Sequence, residues 1–254
     1  MQSLADLESI WYGPSADSAP TLVFLHEGLG SASMWRDVPR LLAEATGYGA
    51  LVYSRRGYGS SPPAELPRPI GYMHDEADVL AEVIRQHGIR EAVVVGHSDG
   101  ASIALIYAAR NASGPLRALI LEAPHVFVET ISVESIAAMK RAWETTDLRG
   151  RLARHHRDVD NAFRGWNDVW LNPRFRDWNI EEFLREIEVP MLLIQGSDDE
   201  YGTWKQVEAI ERQVRGPVET LLVPGARHAP HRDQPELVLE KMAAFVRIYV
   251  SGSS

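Results

Sequence analysis

The chain has 254 residues, a formal net charge of −9 at neutral pH and no cysteine. A single domain of this length buries roughly three-quarters of its unfolded surface, so a core forms without covalent staples. The missing cysteine excludes disulfides, thiolate metal sites and a cysteine nucleophile, and the acidic balance argues against a nucleic-acid binder, which needs a basic face.

In chain order, the N-terminal MQSLADLESIWYG lacks the basic start and apolar run of a secretory signal, and no apolar run approaches the roughly 18 residues of a membrane span. The expectation is a cytoplasmic protein that engages neither membrane nor nucleic acid. Short apolar runs then alternate with longer helical patterns. Glu8–Gly13 predicts an edge strand and Thr21–His26 the first inner strand, followed by a helix over Ala32–Ala45. Strand Ala50–Ser54 leads to helix Tyr72–His87, where Val79, Val83 and Ile84 keep helical spacing. Strand Ala92–His97, helix Asp99–Asn111 and strand Leu116–Ala123 follow, punctuated by Gly88 and Gly114-Pro115. Further on come strand Met191–Gly196, helix Thr203–Val214, strand Val218–Val223 and helix Pro235–Val250. Runs such as AVVVGH and MLLIQG are apolar at nearly every position, as strands covered on both faces must be. The predicted fold is α/β, with a mostly parallel central sheet flanked by helices.

One segment breaks the alternation. Residues 126–187 show no clear strand, and about 60 residues are too many for a structureless loop in a compact domain. They predict a helical insertion between two halves of the core, 1–125 and 188–254. The closing Ser251–Ser254 reads as a frayed end.

Gly96-His97-Ser98-Asp99-Gly100 is a G-x-S-x-G between an apolar strand and a helix. A serine on such a turn has a strained backbone and an open hydroxyl, and the glycines leave room for the neighbouring strand and helix. The helix beginning at Asp99 aims free N–H groups and a positive dipole end at that serine. Ser98 is therefore the candidate nucleophile, with His97 packed beneath the turn. A serine needs a base, and the base needs an orienting partner. Of nine histidines, His228 and His231 follow the last strand, on a loop returning to the sheet edge where ligands bind. His228, nearer the strand end, is favoured. Asp198, Asp199 and Glu200 after Met191–Gly196 are candidate acids, with Glu122 a competitor from the strand before the insertion.

In these residues the chain resembles the α/β-hydrolase superfamily. LVFLHEGLGSASMW is similar to its His-Gly oxyanion segment, YSRRGYGSS to its D-x-R-G-x-G-x-S loop and GHSDG to its nucleophile elbow, while LLIQGSDDE with PGARHAPHRDQPE looks like its acid and histidine blocks. The resemblance selects Asp199, three residues after Gly196, and His228, seven before Pro235-Glu236. It implies oxyanion donors on the backbone of Asp99 and Gly28, with Leu29 the rival for the second. Two positions depart from the pattern: Glu27 stands where glycine is commoner, and Ser54 where Asp is usual.

The resemblance also makes the insertion a lid. Its Trp143, Trp166, Trp170 and Trp178, with Phe127, Phe163, Phe175 and Phe183, serve a lid core, an apolar or aromatic substrate pocket, or both. Glu27, Leu29, Trp35, His125, Trp143, Trp166, Trp170 and Trp204 are the expected pocket residues, with Met34 a further candidate. Arg149, Arg151, Arg154 and Arg157 form a basic patch, either a solvated helix face or a contact for an anionic substrate. The expected activity is hydrolysis of a small ester, thioester or lactone through an acyl-enzyme, with a small-molecule substrate as partner and no cofactor or metal. The alternatives are carbon–carbon bond hydrolysis on the same residues, or a slow-turnover ligand sensor. Oligomeric state stays open.

Overall fold

A computed structural model describes residue 4 and residues 6–250, so the Ser251–Ser254 tail lies outside the described residues. Seven strands form one sheet: β1 (Ser9–Tyr12), β2 (Thr21–Leu25), β3 (Gly49–Tyr53), β4 (Ala92–His97), β5 (Leu116–Glu122), β6 (Met191–Gly196) and β7 (Val218–Val223). Their spatial order is β1-β3-β2-β4-β5-β6-β7. β1 pairs antiparallel with β3 and every other pairing is parallel. The helices are α1 (Val38–Thr46), α2 (Tyr72–Gln86), α3 (Asp99–Arg110), α4 (Thr130–Thr145), α5 (Leu148–Leu152), α6 (Val159–Trp170), α7 (Glu181–Leu184), α8 (Lys205–Gln213), α9 (Pro230–Asp233) and α10 (Pro235–Tyr249).

The all-apolar strands follow from their place between two cores. Successive side chains point to opposite faces: Val23, Leu25, Val94, Leu119 and Leu121 join α2, α3 and α8 on one side. Leu22, Phe24, Val95, Ile120 and Ile194 join α1 and α10 on the other. Residues 22–25 and 92–95 are fully buried, which an alternating polar pattern could not tolerate.

The predicted helix Ala32–Ala45 divides. A 3-10 turn covers Ala32–Trp35, and Arg36 has a left-handed φ of 54° that ends it. Pro39 then sits in the first turn of α1, where its missing N–H costs nothing. The one-turn α9 was not predicted; it is too short to show a period. Residues 126–187 contain α4 to α7 and a 3-10 turn at Pro173–Asp177, with a bridge between Phe127 and Asn179 at the base. The side chain of Asp158 caps α6 by accepting from Asn161 N at 3.0 Å. Ile136, Trp166 and Trp170 join the same core as α2 and α3, so this segment packs onto the sheet domain. Among the described residues no helix is long and apolar enough to cross a membrane.

Candidate active site

Ser98 joins β4 to α3 with φ 53° and ψ −117°, a conformation that disfavours a side chain. A Cβ on Gly96 would lie 2.5 Å from the Gly100 carbonyl oxygen, and one on Gly100 2.2 Å from that of Leu25. Only hydrogen fits at either position. The turn is braced from β5, where the Glu122 carbonyl accepts from Ser98 N at 2.9 Å.

Two further loops meet this turn. His228, between β7 and α9, brings Nε2 to 2.9 Å from Ser98 Oγ. Its Nδ1 lies 2.9 and 3.0 Å from the two carboxylate oxygens of Asp199, which follows β6. Asp199 also accepts from Tyr201 N at 2.8 Å, Gly202 N at 3.3 Å and Gln195 Nε2 at 2.6 Å. Burial by itself would raise its pKa, but His228 and the Tyr201 N–H hold it below the usual carboxylate range. An ionised acid, an imidazole and a hydroxyl thus form one hydrogen-bonded chain.

The competing groups have other partners. Asp198 accepts from Ser197 Oγ, and Glu200 accepts from the backbone of His228 at 3.2 Å. Glu122 is fully buried and accepts from His231 twice, through N and Nδ1, each at 2.7 Å. Despite burial, His231 and His97 keep its pKa low. His97, Glu122 and His231 place ligand atoms within 4.8 Å of one another, the one set of metal-ligating type among the described residues; within it Glu122 is already engaged by His231 N and Nδ1.

His97 does lie beneath the turn. Its Nε2 donates to the His228 carbonyl at 2.7 Å, and its Nδ1 is 3.6 Å from Glu27 Oε2. Glu27 Oε1 accepts from Arg232 Nη2 at 3.0 Å. Burial opposes ionisation of Glu27, yet His97 and Arg232 hold its pKa well below the ordinary value. Burial also opposes protonation of His97, but Glu27 and Glu122 raise its pKa overall. The second departure has a structural answer as well. Ser54 Oγ donates to Glu8 Oε2 at 2.6 Å and accepts from Ala32 N at 2.8 Å, so Glu8, just before β1, supplies a carboxylate that the loop itself lacks.

A cavity of about 220 Å³ opens over Ser98 and His228. Gly28, Leu29 and Met34 line it from the loop after β2; Ile136, Met139, Leu152, Trp166 and Trp170 line it from the insertion. Its polar wall is Glu27, His125, Ser132, Tyr201 and Arg232. Of the expected pocket residues, Glu27, Leu29, His125, Trp166 and Trp170 reach it. Three do not. Trp35 is 2% exposed in the core on the α1–α10 side, edge-on to Phe24 with ring centroids 5.1 Å apart. Trp143 stacks on Phe163 at 4.0 Å inside the insertion, and Trp204 packs against the other core at the start of α8. Helical spacing alone cannot say which side of an amphipathic helix meets a cavity and which meets its own neighbours.

Burial is the largest influence on the pKa of His125, pushing it down to about 4, so the ring is neutral beside His228. Burial likewise raises the pKa of Asp99, whose side chain accepts from Tyr72 Oη at 2.5 Å and Trp170 Nε1 at 3.2 Å. That contact ties α6 to the first residue of α3. In the basic patch, Arg149 pairs with Asp160, while Arg151, Arg154 and Arg157 are exposed. His156 is buried: its Nε2 donates to the Leu29 carbonyl at 3.1 Å, and its Nδ1 accepts from Gly59 N at 3.0 Å. Sequence patterns did not single out Ser132, Ile136, Met139, Leu152, Tyr201 or Arg232; only Tyr201 and Arg232 carried a usable signal, their closeness in sequence to Asp199 and His228.

Residues 22–241 match the alpha/beta hydrolase family. The bifunctional esterase/perhydrolase DCH of Acinetobacter calcoaceticus is 25% identical over 268 aligned residues, covering 93% of this chain and 94% of that protein. The 2-succinyl-6-hydroxy-2,4-cyclohexadiene-1-carboxylate synthase of Enterobacter sp. (strain 638) is 24% identical, with 91% and 93% covered. The crystal structure of a proline iminopeptidase from Mycobacterium smegmatis has a like fold, with a TM-score of 0.77 over 99% of this chain and 98% of that one at 20% identity. With most of its length inside the family match and a seven-stranded, mostly parallel sheet to carry it, the chain belongs to the alpha/beta hydrolase family.

Proposed function

We propose that the protein is a serine hydrolase that cleaves a small, apolar or aromatic carboxylic ester, thioester or lactone through an acyl-enzyme on Ser98. The observation that carries this is the unbroken chain from Asp199 through His228 to Ser98 Oγ, each link 2.9 Å. His228 takes the hydroxyl proton as Ser98 attacks the substrate carbonyl, and Asp199 steadies the imidazolium. Collapse of the tetrahedral adduct expels the alcohol or thiol, which takes the proton from His228. Water, activated by the same histidine, then releases the acid and restores Ser98.

The oxyanion rests on backbone N–H groups of Asp99 and of Gly28 or Leu29. None of the three donates to an acceptor among the described residues, and Asp99 opens α3, whose dipole favours negative charge there. The insertion over residues 126–187 serves as a lid: Leu152, Trp166 and Trp170 line the cavity from it and give the acyl group an apolar wall. A cavity of about 220 Å³ lies below the roughly 300–1,000 Å³ of drug-sized sites, which favours a small substrate.

The test is a panel of aryl and alkyl esters, lactones and CoA thioesters, run on the parent protein and on Ser98→Ala. Turnover of the preferred substrate should fall by about 10⁴ or more in the variant, and a fluorophosphonate should label only the parent. Undiminished hydrolysis by Ser98→Ala removes the assignment.

A further inference from the structure

We propose that Arg232 makes one wall of the Ser98 cavity an anion subsite, so that the favoured substrates carry a carboxylate beside their apolar body. The inference rests on the reading of Ser98 as the acyl acceptor. Arg232 lies four residues after His228, so the base and the guanidinium share one short loop and helix turn. It is the only lysine or arginine among the described residues lining the cavity. Its Nη2 is fixed by Glu27 Oε1 at 3.0 Å and the Met34 carbonyl at 3.1 Å. Nε is buried and out of a ligand's reach, whereas Nη1 donates to no acceptor among the described residues; the bonds this guanidinium makes to them leave from Nη2. A guanidinium held in place with N–H groups to spare is organised in advance for an incoming carboxylate.

Glu27 would cancel this charge if Arg232 were its only partner. It is not, because the other carboxylate oxygen faces His97 Nδ1 at 3.6 Å, and the raised pKa of that buried imidazole favours its charged form. Glu27 is thus shared between Arg232 and His97, and the Nη1 edge of Arg232, which Glu27 does not engage, is left to attract an anion. Leu29, Met34, Met139 and Trp166 supply the apolar remainder of the cavity. The substrate that fits is therefore amphipathic, with one anionic end.

A merely structural Arg232–Glu27 pair, tying the loop after β2 to α9, makes a different prediction, and kinetics separate the two. The substrates are p-nitrophenyl butyrate, mono-p-nitrophenyl glutarate with its carboxylate on the acyl side, and 4-butyryloxybenzoate with its carboxylate on the leaving group. The readout is the ratio of kcat/KM for each anionic ester to that for the neutral one. A charge-assisted hydrogen bond should give the parent a ratio of about ten or more for one anionic ester, and which ester shows it locates the subsite. Arg232→Gln should lower that ratio about ten-fold or more, mostly through KM, with Arg232→Lys intermediate. Glu27→Gln removes the competing carboxylate and should raise it about three-fold. A parent ratio below about ten for both esters overturns the proposal, as does a ratio that Arg232→Gln and Glu27→Gln move in the same direction. If Arg232→Gln does not fold, Arg232→Lys is set against Glu27→Gln under the same criterion. Parent protein inert towards all three esters overturns the subsite as proposed for ester substrates, whereas Ser98→Ala as active as the parent defeats the hydrolase reading itself rather than the subsite alone.

Discussion

Replacing Asp199 by Asn keeps the shape of the side chain and removes its charge. Oδ1 accepts from Tyr201 N and Gly202 N, so the amide oxygen of the variant stays at that position. The amide nitrogen then falls where Gln195 Nε2 now donates at 2.6 Å, and two donors face each other. Gln195 cannot simply turn round, because its Nε2 also donates to the Gly202 carbonyl at 3.1 Å. The catalytic loss comes from the imidazolium, whose charge develops in the transition state. With about 4 Å between charge centres and an effective dielectric of about 20, the lost attraction is about 4 kcal/mol. On the rate scale that is about 10³ in kcat, with KM changed by less than about three-fold. The donor clash should cost about 1–3 kcal/mol of stability, lowering the melting temperature by about 2–4 °C for each kcal/mol. Initial rates on p-nitrophenyl butyrate and a thermal melt by circular dichroism measure both. A folded Asp199→Asn protein keeping more than about a tenth of parental kcat would refute the role given to the charge.

Other perturbations separate the packing and electrostatic arguments. A Cβ on Gly28 would lie 2.2 Å from the Trp166 indole, so Gly28→Ala should push that ring into the cavity and lower kcat/KM about ten-fold or more, with little change in the melt; an unchanged kcat/KM contradicts the close approach. Gly100→Ala drives a methyl group against the Leu25 carbonyl and should cost about 1–3 kcal/mol in urea unfolding, or more. His97 has a folded pKa above the usual 6.5, burial being outweighed by Glu27 and Glu122. Its ionic contribution to stability is therefore complete below that value and is lost as pH rises through the folded pKa. The stability gap between the parent and His97→Gln should narrow from mildly acidic to alkaline pH in urea titrations, and a constant gap argues against the ion pair. Trp35→Ala empties a site that is 2% exposed and should cost about 3–5 kcal/mol, a loss that a cavity-wall residue would not show in full.

Strands β2 to β6 were legible because local composition carries their environment: a run such as AVVVGH is apolar at nearly every position only if both its faces are covered. By contrast β7, at the sheet edge with Leu222 half exposed, showed only as a short β-branched and apolar run. The G-x-S-x-G turn was legible for a related reason, since the backbone at Ser98 and the close approaches at Gly96 and Gly100 leave few residue types possible. The placement of Asp199 and His228 as the residues that meet Ser98 came from motif resemblance, while local chemistry left Asp198, Glu200, Glu122 and His231 in contention. Helix boundaries were less legible, as the break at Arg36 and the single turn of α9 show.

What folding alone settled is the company each side chain keeps. Glu8 beside Ser54, His97 under the His228 carbonyl and Glu27 against Arg232 are pairs 46, 131 and 205 residues apart. No periodicity or short motif spans such distances, because each contact depends on how crossover helices return the chain to one edge of the sheet. Trp35 and Trp166 make the same point. Both are large apolar residues from suitable segments, and only packing sends one into the core and the other to the cavity wall. Local patterns decide how the backbone pairs and which faces must be covered, whereas charge neutralisation and cavity shape are properties of several segments at once.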